Sequence, residues 1–143
     1  MVFCRKLSSA AKNQVSTSLG KPDCDTDLGD TGSILLYAWY EFFFNHENNV
    51  YSIQNDNCDP KDKESFCFKN DVFEIEPWLL NGEKNQTIES VKALLQKNLL
   101  EYKIIEYYGR NAIKLESGIV VDFDEEKNEN DEFELLGIRF WPE

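Results

Sequence analysis

The stretch "YKIIEYYGRNAIKLESGIVVDFD", residues 102–124, decides the fold class of this chain. It contains three runs in which apolar and polar residues tend to alternate: Tyr102–Tyr108, Asn111–Ser117 and Gly118–Asp124. Such alternation is typical of strands that turn one face toward a core. The runs are joined by "GR" and "SG", which leave room for tight turns and nothing longer. The sequence therefore predicts consecutive antiparallel hairpins here.

The segments on either side add further strands. Asn49–Asn55 alternates in the same way, and Phe133–Trp141 is predicted as a last strand. Between them, Glu64–Asn70 and Asp71–Trp78 read as strands of a half-exposed sheet. Strands that do not alternate regularly with helices are typical of an α+β fold. We expect a single domain over residues 1–143, with a mainly antiparallel sheet of about five to six strands and two to three helices.

Two segments have the spacing of helices. "ILLYAWYEFFFN", residues 34–45, is apolar on all sides, and Ser33 can cap it. We therefore expect a central, buried helix there. The second predicted helix follows Thr87, which is a suitable N-cap. Its apolar stripe consists of Ile88, Val91, Leu94, Leu95 and Leu99.

The charge of the chain is strongly negative and unevenly distributed. There are 15 Lys and Arg against 27 Asp and Glu, a net charge of −12, yet 41% of the residues are hydrophobic, enough for a folded core. Residues 41–80 carry three basic and nine acidic side chains, and residues 121–143 carry two and nine. Such a field repels nucleic-acid phosphates, and it attracts basic proteins and speeds their association.

The sequence also bears on where the protein acts. The first residues lack the apolar segment of a secretory signal, and the longest apolar stretch, Ile34–Phe44, is too short to cross a bilayer. We therefore expect a cytoplasmic protein. Its four cysteines are most simply reduced thiols, with a bridge between Cys58 and Cys67 as the alternative.

Metal and catalytic chemistry find little support in the sequence. A calcium loop that begins at Asp122 would need Gly at its sixth position and Glu at its twelfth, where Lys127 and Phe133 stand. A single histidine and scattered thiols do not make a zinc site. His46 follows the predicted aromatic helix and has no recognisable catalytic companion. We therefore expect a protein that is not an enzyme and needs no cofactor.

Binding is the remaining class of function, and the run "VVDFDEEKNENDEF", residues 120–133, is its best candidate. Its first part is predicted as a strand, with Ile119, Val121 and Phe123 facing inward, and residues 125–132 as a hairpin loop. Clustered carboxylates on such a hairpin can pair with Lys and Arg of a partner, and aromatic side chains can supply affinity. The candidate partner-binding residues are Asp122, Asp124, Glu125, Glu126, Glu129, Asp131 and Glu132, together with Asp56, Asp59, Asp62 and Trp141. A solvated acidic face is the alternative for the carboxylates, and core packing for Trp141 and Trp78.

The chain as a whole resembles the immunity proteins of contact-dependent growth inhibition and similar bacterial toxin systems. The resemblance is carried by the ending "NENDEFELLGIRFWPE" and by the aromatic segment "SILLYAWYEFFFNHENN". It implies an antitoxin that binds the C-terminal domain of its cognate toxin, often a basic nuclease directed at tRNA or DNA, and blocks its active site or substrate surface. Two other hypotheses are an acidic nucleic-acid mimic that inhibits a DNA- or RNA-acting enzyme, and a small hydrolase that uses His46.

Overall fold

The computed structural model describes residues 10–59, 62–75 and 86–141 of the chain. The described part has two α-helices, α1 (Lys12–Leu19) and α2 (Ile88–Lys97), and short 3-10 turns at Gly29–Thr31 and Lys63–Ser65. The strands are β1 (Cys24–Asp27), β2 (Ser33–Tyr37), β3 (Tyr40–Phe44), β4 (Val50–Asn55), β5 (Phe68–Lys69), β6 (Glu74–Ile75), β7 (Tyr102–Tyr107), β8 (Arg110–Leu115), β9 (Ile119–Lys127) and β10 (Phe133–Phe140).

The predicted α+β class with an antiparallel sheet is confirmed. The main sheet has eight strands, in the order β1-β2-β3-β4-β10-β9-β8-β7, rather than the five to six expected. Every neighbouring pair in it is antiparallel. β5 and β6 form a small separate hairpin. Since β4 pairs with β10, the two halves of the chain are joined in the middle of the sheet.

The predicted helix over residues 34–45 is wrong, and it accounts for two of the additional strands. The segment is the β2–β3 hairpin, in which Tyr37 pairs with Tyr40 across a two-residue turn. Ala38 has a left-handed backbone, and its N–H donates to the Asp23 carboxylate at 2.7 Å. Alternate residues from Leu35 to Phe44 are buried, as in a half-buried sheet. This run is apolar at both the helical and the strand period, so its local pattern does not distinguish the two structures. Its aromatic residues favour strands, and its tertiary contacts decide the outcome.

The second predicted helix is confirmed as α2. The Thr87 hydroxyl accepts the N–H of Ser90 at 3.3 Å and caps the first turn. Ile88, Val91 and Leu95 of the predicted stripe are buried. Leu99 differs, because the helix ends at Lys97 and Leu99 is left-handed and 91% exposed.

The hydrophobic core lies on one face of the main sheet. Buried residues of both helices, such as Val15 and Leu95, belong to the same cluster as the sheet residues Phe42 and Phe123. The small hairpin contributes Phe68, whose ring meets the edge of Tyr37 at a centroid distance of 5.5 Å. The core therefore consists of one sheet face with both described helices and the β5–β6 hairpin packed against it.

The three strands predicted from residues 102–124 are confirmed as β7, β8 and β9. The turn between β7 and β8 has positive φ at Tyr108 (49°) and Gly109 (79°), the conformation that matches the twist of a two-residue hairpin. β9 continues to Lys127, three residues past the predicted end at Asp124. The β9–β10 register shifts twice, and these bulges lie next to the acidic run.

Candidate protein-binding surface

The acidic run forms a hairpin that extends beyond its neighbours. Ala112 of β8 lies opposite Asp122, so β8 begins near the level of Asp124, whereas β9 continues to Lys127. At the tip, the Asn128 side-chain oxygen accepts the N–H groups of Asn130 (2.9 Å) and Glu132 (3.1 Å). Local hydrogen bonds of this kind give the tip a defined conformation.

Six of the seven predicted carboxylates of the run lie on the surface of this hairpin. Glu125, Glu126, Glu129 and Asp131 are exposed, and Asp124 and Glu132 are half-buried. Lys127 is paired with Asp131 at 2.8 Å. Within the described residues the other five carboxylates of this group form no ion pair, so the hairpin carries uncompensated negative charge.

Asp122 is the exception, because its side chain has no exposed surface. One carboxylate oxygen accepts from Arg139 Nε at 3.2 Å and the other from Arg110 Nη2 at 3.1 Å. Gly137 lies opposite, and a Cβ there would be 3.0 Å from Asp122 Oδ1. Asp122 was predicted to face a partner, but in this structure it is a buried counter-ion of two arginines.

Asp122 belongs to a row of polar side chains that crosses five strands. Glu41 accepts from Gln54 at 2.8 Å, Gln54 accepts from Arg139 at 2.7 Å, and Arg139 and Arg110 both donate to Asp122. The row runs from β3 through β4, β10 and β9 to β8. It lies on the face opposite the hydrophobic core, directly below the acidic hairpin, and it fixes the base from which that hairpin extends.

The Tyr107 ring lies over the two arginines of this row. The guanidinium carbons of Arg110 and Arg139 lie 5.9 and 5.4 Å from the Tyr107 ring centroid. Tyr107 also contacts Trp141, with ring centroids 5.4 Å apart. Since β7 and β10 are separated by two strands, a flat sheet would hold them about 14 Å apart, so the sheet curls toward this face. Trp141 is therefore partly covered by Tyr107, and Trp78 lies outside the described residues.

The second acidic block lies at the same end of the sheet as the hairpin. β4 ends at Asn55 beside Ile138, and because β10 runs antiparallel to it, the chain leaves β4 on the side from which β10 enters the sheet. The loop that follows carries Asp56, Asp59 and Asp62, all exposed. Its backbone is held by Ser65, whose hydroxyl donates to the carbonyl of Asp62 at 2.6 Å. We call residues 56–59, 62–64 and 124–132 together the acidic end.

Two exposed aromatic side chains lie at the acidic end and were missed by the sequence analysis. Trp39, 47% exposed, is in the β2–β3 turn, and Tyr108, 85% exposed, is in the β7–β8 turn. Both turns close near the level at which β4 ends. The "YYGR" turn was visible in the sequence, whereas Trp39 was assigned to a buried helix.

Three further residues singled out in the sequence are Cys58, Cys67 and His46. Cys58 is buried and Cys67 exposed, and they form no disulfide with each other. Burial raises the pKa of the Cys58 thiol to about 12, so it stays protonated at neutral pH. His46 is exposed in the β3–β4 turn, at the opposite end of the sheet. Within the described ranges, no three His, Cys, Asp or Glu side chains are placed to hold a metal ion.

Comparisons with known proteins add little. No protein-family model matches the chain, and no curated protein matches it by sequence. One solved structure that is similar in shape is an extracellular protein containing a SCP domain from Bacillus anthracis strain Ames, with 11% identity and a TM-score of 0.45. The match covers 97% of this chain and 45% of that one, so this chain spans less than half of its length.

None of the helices in the described part of the chain is long and apolar enough to cross a membrane.

Proposed function

We propose that this protein is an immunity protein that binds a basic toxin domain through its acidic end. The observation that carries the proposal is the convergence of two acidic segments, about 70 residues apart in sequence, at one end of the sheet. Exposed Trp39 and Tyr108 flank these segments. Hairpin carboxylates with few ion-pair partners among the described residues, bordered by aromatic side chains, are suited to Lys- and Arg-rich surfaces.

The carboxylates and the aromatic side chains contribute to different properties of the complex, the rate of association and the affinity. Uncompensated carboxylates on a projecting hairpin attract a basic partner over about 8–10 Å at physiological ionic strength and speed its approach. Large aromatic side chains such as Trp39 and Tyr108 then supply much of the binding free energy once they are desolvated. The buried row beneath the hairpin keeps its base in one conformation, which lowers the entropic cost of binding.

The cognate partner would be the C-terminal domain of a nuclease toxin that acts on tRNA or DNA in the cytoplasm. On such a domain the basic surface is the substrate-binding surface, because that surface must neutralise phosphates. An acidic end seated there would keep the substrate out. The protein itself would need no cofactor and no catalytic group for this role.

The test uses the protein encoded beside this one as the bait. The two proteins are co-expressed, and the complex is captured at low and at high salt. A second preparation carries Glu125→Lys, Glu126→Lys and Glu129→Lys. We expect the wild-type complex to form quickly and to weaken with salt, and the variant to associate at least tenfold more slowly.

A matched control variant carries Glu47→Lys, Glu101→Lys and Glu116→Lys. These three side chains are exposed, lie at the opposite end of the sheet and change the net charge by the same amount. Equal slowing by both variants would mean that the slower association comes from the change in net charge and not from the position of the carboxylates. Competition with DNA for unrelated basic proteins would favour the nucleic-acid mimic, because an immunity protein discriminates between partners.

A further inference from the structure

The two edges of the main sheet differ in how they are protected against a further strand. β1 is four residues long, and its Asp25 and Asp27 lie on the face that carries the core. Charged side chains in this position hinder pairing with another strand. β7, the other edge, is six residues long and pairs with β8 without a bulge. Within the described residues no strand pairs with its outer side, so β7 offers an open edge.

The pairing with β8 determines which backbone groups of β7 point outward. The N–H of Glu116 donates to the carbonyl of Glu101 at 3.3 Å, one residue before β7 begins. In an antiparallel ladder, residues that exchange hydrogen bonds with a neighbour alternate with residues that point away from it. The odd-numbered residues of β7 therefore bond to β8. The N–H and C=O groups of Tyr102, Ile104 and Glu106 point outward from the sheet.

Exposed hydrophobic side chains lie along this edge. Ile104, in the middle of β7, is 49% exposed although it lies beside the buried Ile113 of β8. Leu99, shortly before the strand, is 91% exposed, and Tyr108, directly after it, is 85% exposed. These two are the most exposed large hydrophobic side chains of the described chain. An apolar line along an open strand edge is typical of a protein interface formed by strand addition.

The charge of this edge is balanced, unlike that of the whole chain. Residues 101–116, which contain β7 and β8, carry three basic and three acidic side chains and add nothing to the net charge of −12. Two copies of the chain repel each other at their acidic segments and not along this edge. The β7–β8 turn lies at the acidic end, so antiparallel pairing of two β7 strands would direct the two acidic ends away from each other.

We propose that β7 pairs with β7 of a second copy of this chain, antiparallel and around a two-fold axis at Ile104. In this register Ile104 lies opposite Ile104 of the second copy, and Tyr102 of each copy lies opposite Glu106 of the other. All three outward-pointing residues then exchange hydrogen bonds with outward-pointing residues, about six bonds in total. Moving the axis by one residue in either direction would pair only two of the three within the strand.

The side chains that face each other in this register are compatible. Ile104 meets its own counterpart, which makes an apolar contact at the axis. Tyr102 and Glu106 of the other copy lie on the same face of the joined sheet. The Tyr102 hydroxyl oxygen accepts from Gln96 Nε2 at 3.2 Å, and the hydroxyl can donate its own proton to the Glu106 carboxylate.

The ends of the strand also match. Counting outward from the axis, Tyr108 of each copy falls opposite Leu100 and beside Leu99 of the other, so the exposed apolar side chains at the two ends of β7 cover each other. Lys103 falls opposite Ile105 and can lay its aliphatic part on it while the ammonium group stays in water. Since both copies use the same edge, the assembly closes at two copies and leaves the charged β1 edges outside.

The test measures the oligomeric state of the full chain by sedimentation velocity over a range of concentrations. We expect the wild type to form dimers in the micromolar range and no larger assembly, because an interface built around one strand pair is small. Ile104→Lys places two ammonium groups across the axis and removes the apolar contact. It should raise the dissociation constant about tenfold or more. The side chain is half exposed in the single chain, so the variant should fold, which circular dichroism checks.

Val72→Lys is the matched control. Val72 is 61% exposed and lies outside β7, and the substitution changes the charge by the same amount. It should dimerise as the wild type does, since added positive charge lessens the repulsion between two acidic copies. Equal weakening by both variants would overturn the proposal, and so would a wild type that stays monomeric up to about 1 mM. Tyr108 and the hairpin carboxylates are unchanged in every variant, so the proposed function does not depend on this result.

Oxidative cross-linking tests the register. In the proposed dimer the Cα atoms of residue 104 in the two copies lie about 5.5 Å apart, a distance that a disulfide spans. Those of residue 106 are offset by four residues, or about 13 Å along the strand. Ile104→Cys should therefore cross-link and Glu106→Cys should not, both in a background with Cys4→Ser, Cys24→Ser and Cys67→Ser that keeps only the buried Cys58. Equal yields, or a higher yield for Glu106→Cys, would overturn the proposal.

Discussion

The two halves of β9 use the same kind of side chain in opposite ways. From Ile119 to Phe123 every residue is buried, and Asp122 lies between two arginines without exposed surface. From Glu125 to Lys127 every residue is exposed. The difference comes from the neighbouring strands, because Arg139, Arg110 and Gly137 surround Asp122 and the hairpin carboxylates extend past β8. A carboxylate is structural or available for binding according to what lies across the sheet from it.

The largest expected effect comes from replacing the buried carboxylate. Asp122→Ala leaves the guanidinium groups of Arg139 and Arg110 without their counter-ion, and Arg139 is itself almost fully buried. We expect a loss of roughly 3–5 kcal/mol in the free energy of unfolding, as when one partner of a buried ion pair is removed. Urea denaturation measures this. The matched control is Glu125→Ala, which removes four atoms of an acidic side chain from the same strand. It should change stability very little.

If both substitutions had similarly small effects, Asp122 would not be the centre of the buried row. The contrast between the two halves of β9 would then be one of exposure alone.

A smaller effect is expected from filling the space opposite Asp122. Gly137→Ala would place a methyl group 3.0 Å from Asp122 Oδ1 and 3.1 Å from the carbonyl of Asn55. Overpacking of this kind typically costs about 1–3 kcal/mol. The double variant with Asp122→Ala identifies the source of the cost. If the carboxylate is the main obstacle, the two losses will be less than additive by 0.5 kcal/mol or more, roughly the coupling expected for contacting residues.

Additive losses in that cycle would place the clash on the Asn55 carbonyl or on Arg139 Nη2, which lies 3.2 Å from the same position. The crowding of β10 by β4 and by the Arg139 side chain would then be the reason for a glycine at this position. Thermal and urea unfolding of the four proteins distinguish the two cases.

The sequence correctly predicted the structural features that depend on residues close together along the chain. The strands β7 to β9 were found because alternation and two-residue turns are local signals. The segment 34–45 was misread because it is apolar at both the helical and the strand period, and only pairing with β1 and β4 makes it a hairpin. The burial of Asp122 depends on Arg139, 17 residues away, and on the glycine opposite it. The convergence at the acidic end required the β4–β10 pairing, which no local pattern encodes.

The smallest expected effect on stability is that of the charge-reversed hairpin, Glu125→Lys, Glu126→Lys and Glu129→Lys. These side chains are exposed and form no ion pair within the described residues, so the substitutions break no ion pair there. Reversal also reduces the net charge of −12 by six units, which lessens self-repulsion. We expect the free energy of unfolding to stay the same or rise slightly, and to do so more at low than at high salt. Urea denaturation at two salt concentrations measures this, and a marked loss of stability would mean that the hairpin carboxylates support the fold as Asp122 does. Unchanged stability together with slower partner association would make the second half of β9 a binding element and the first half its support.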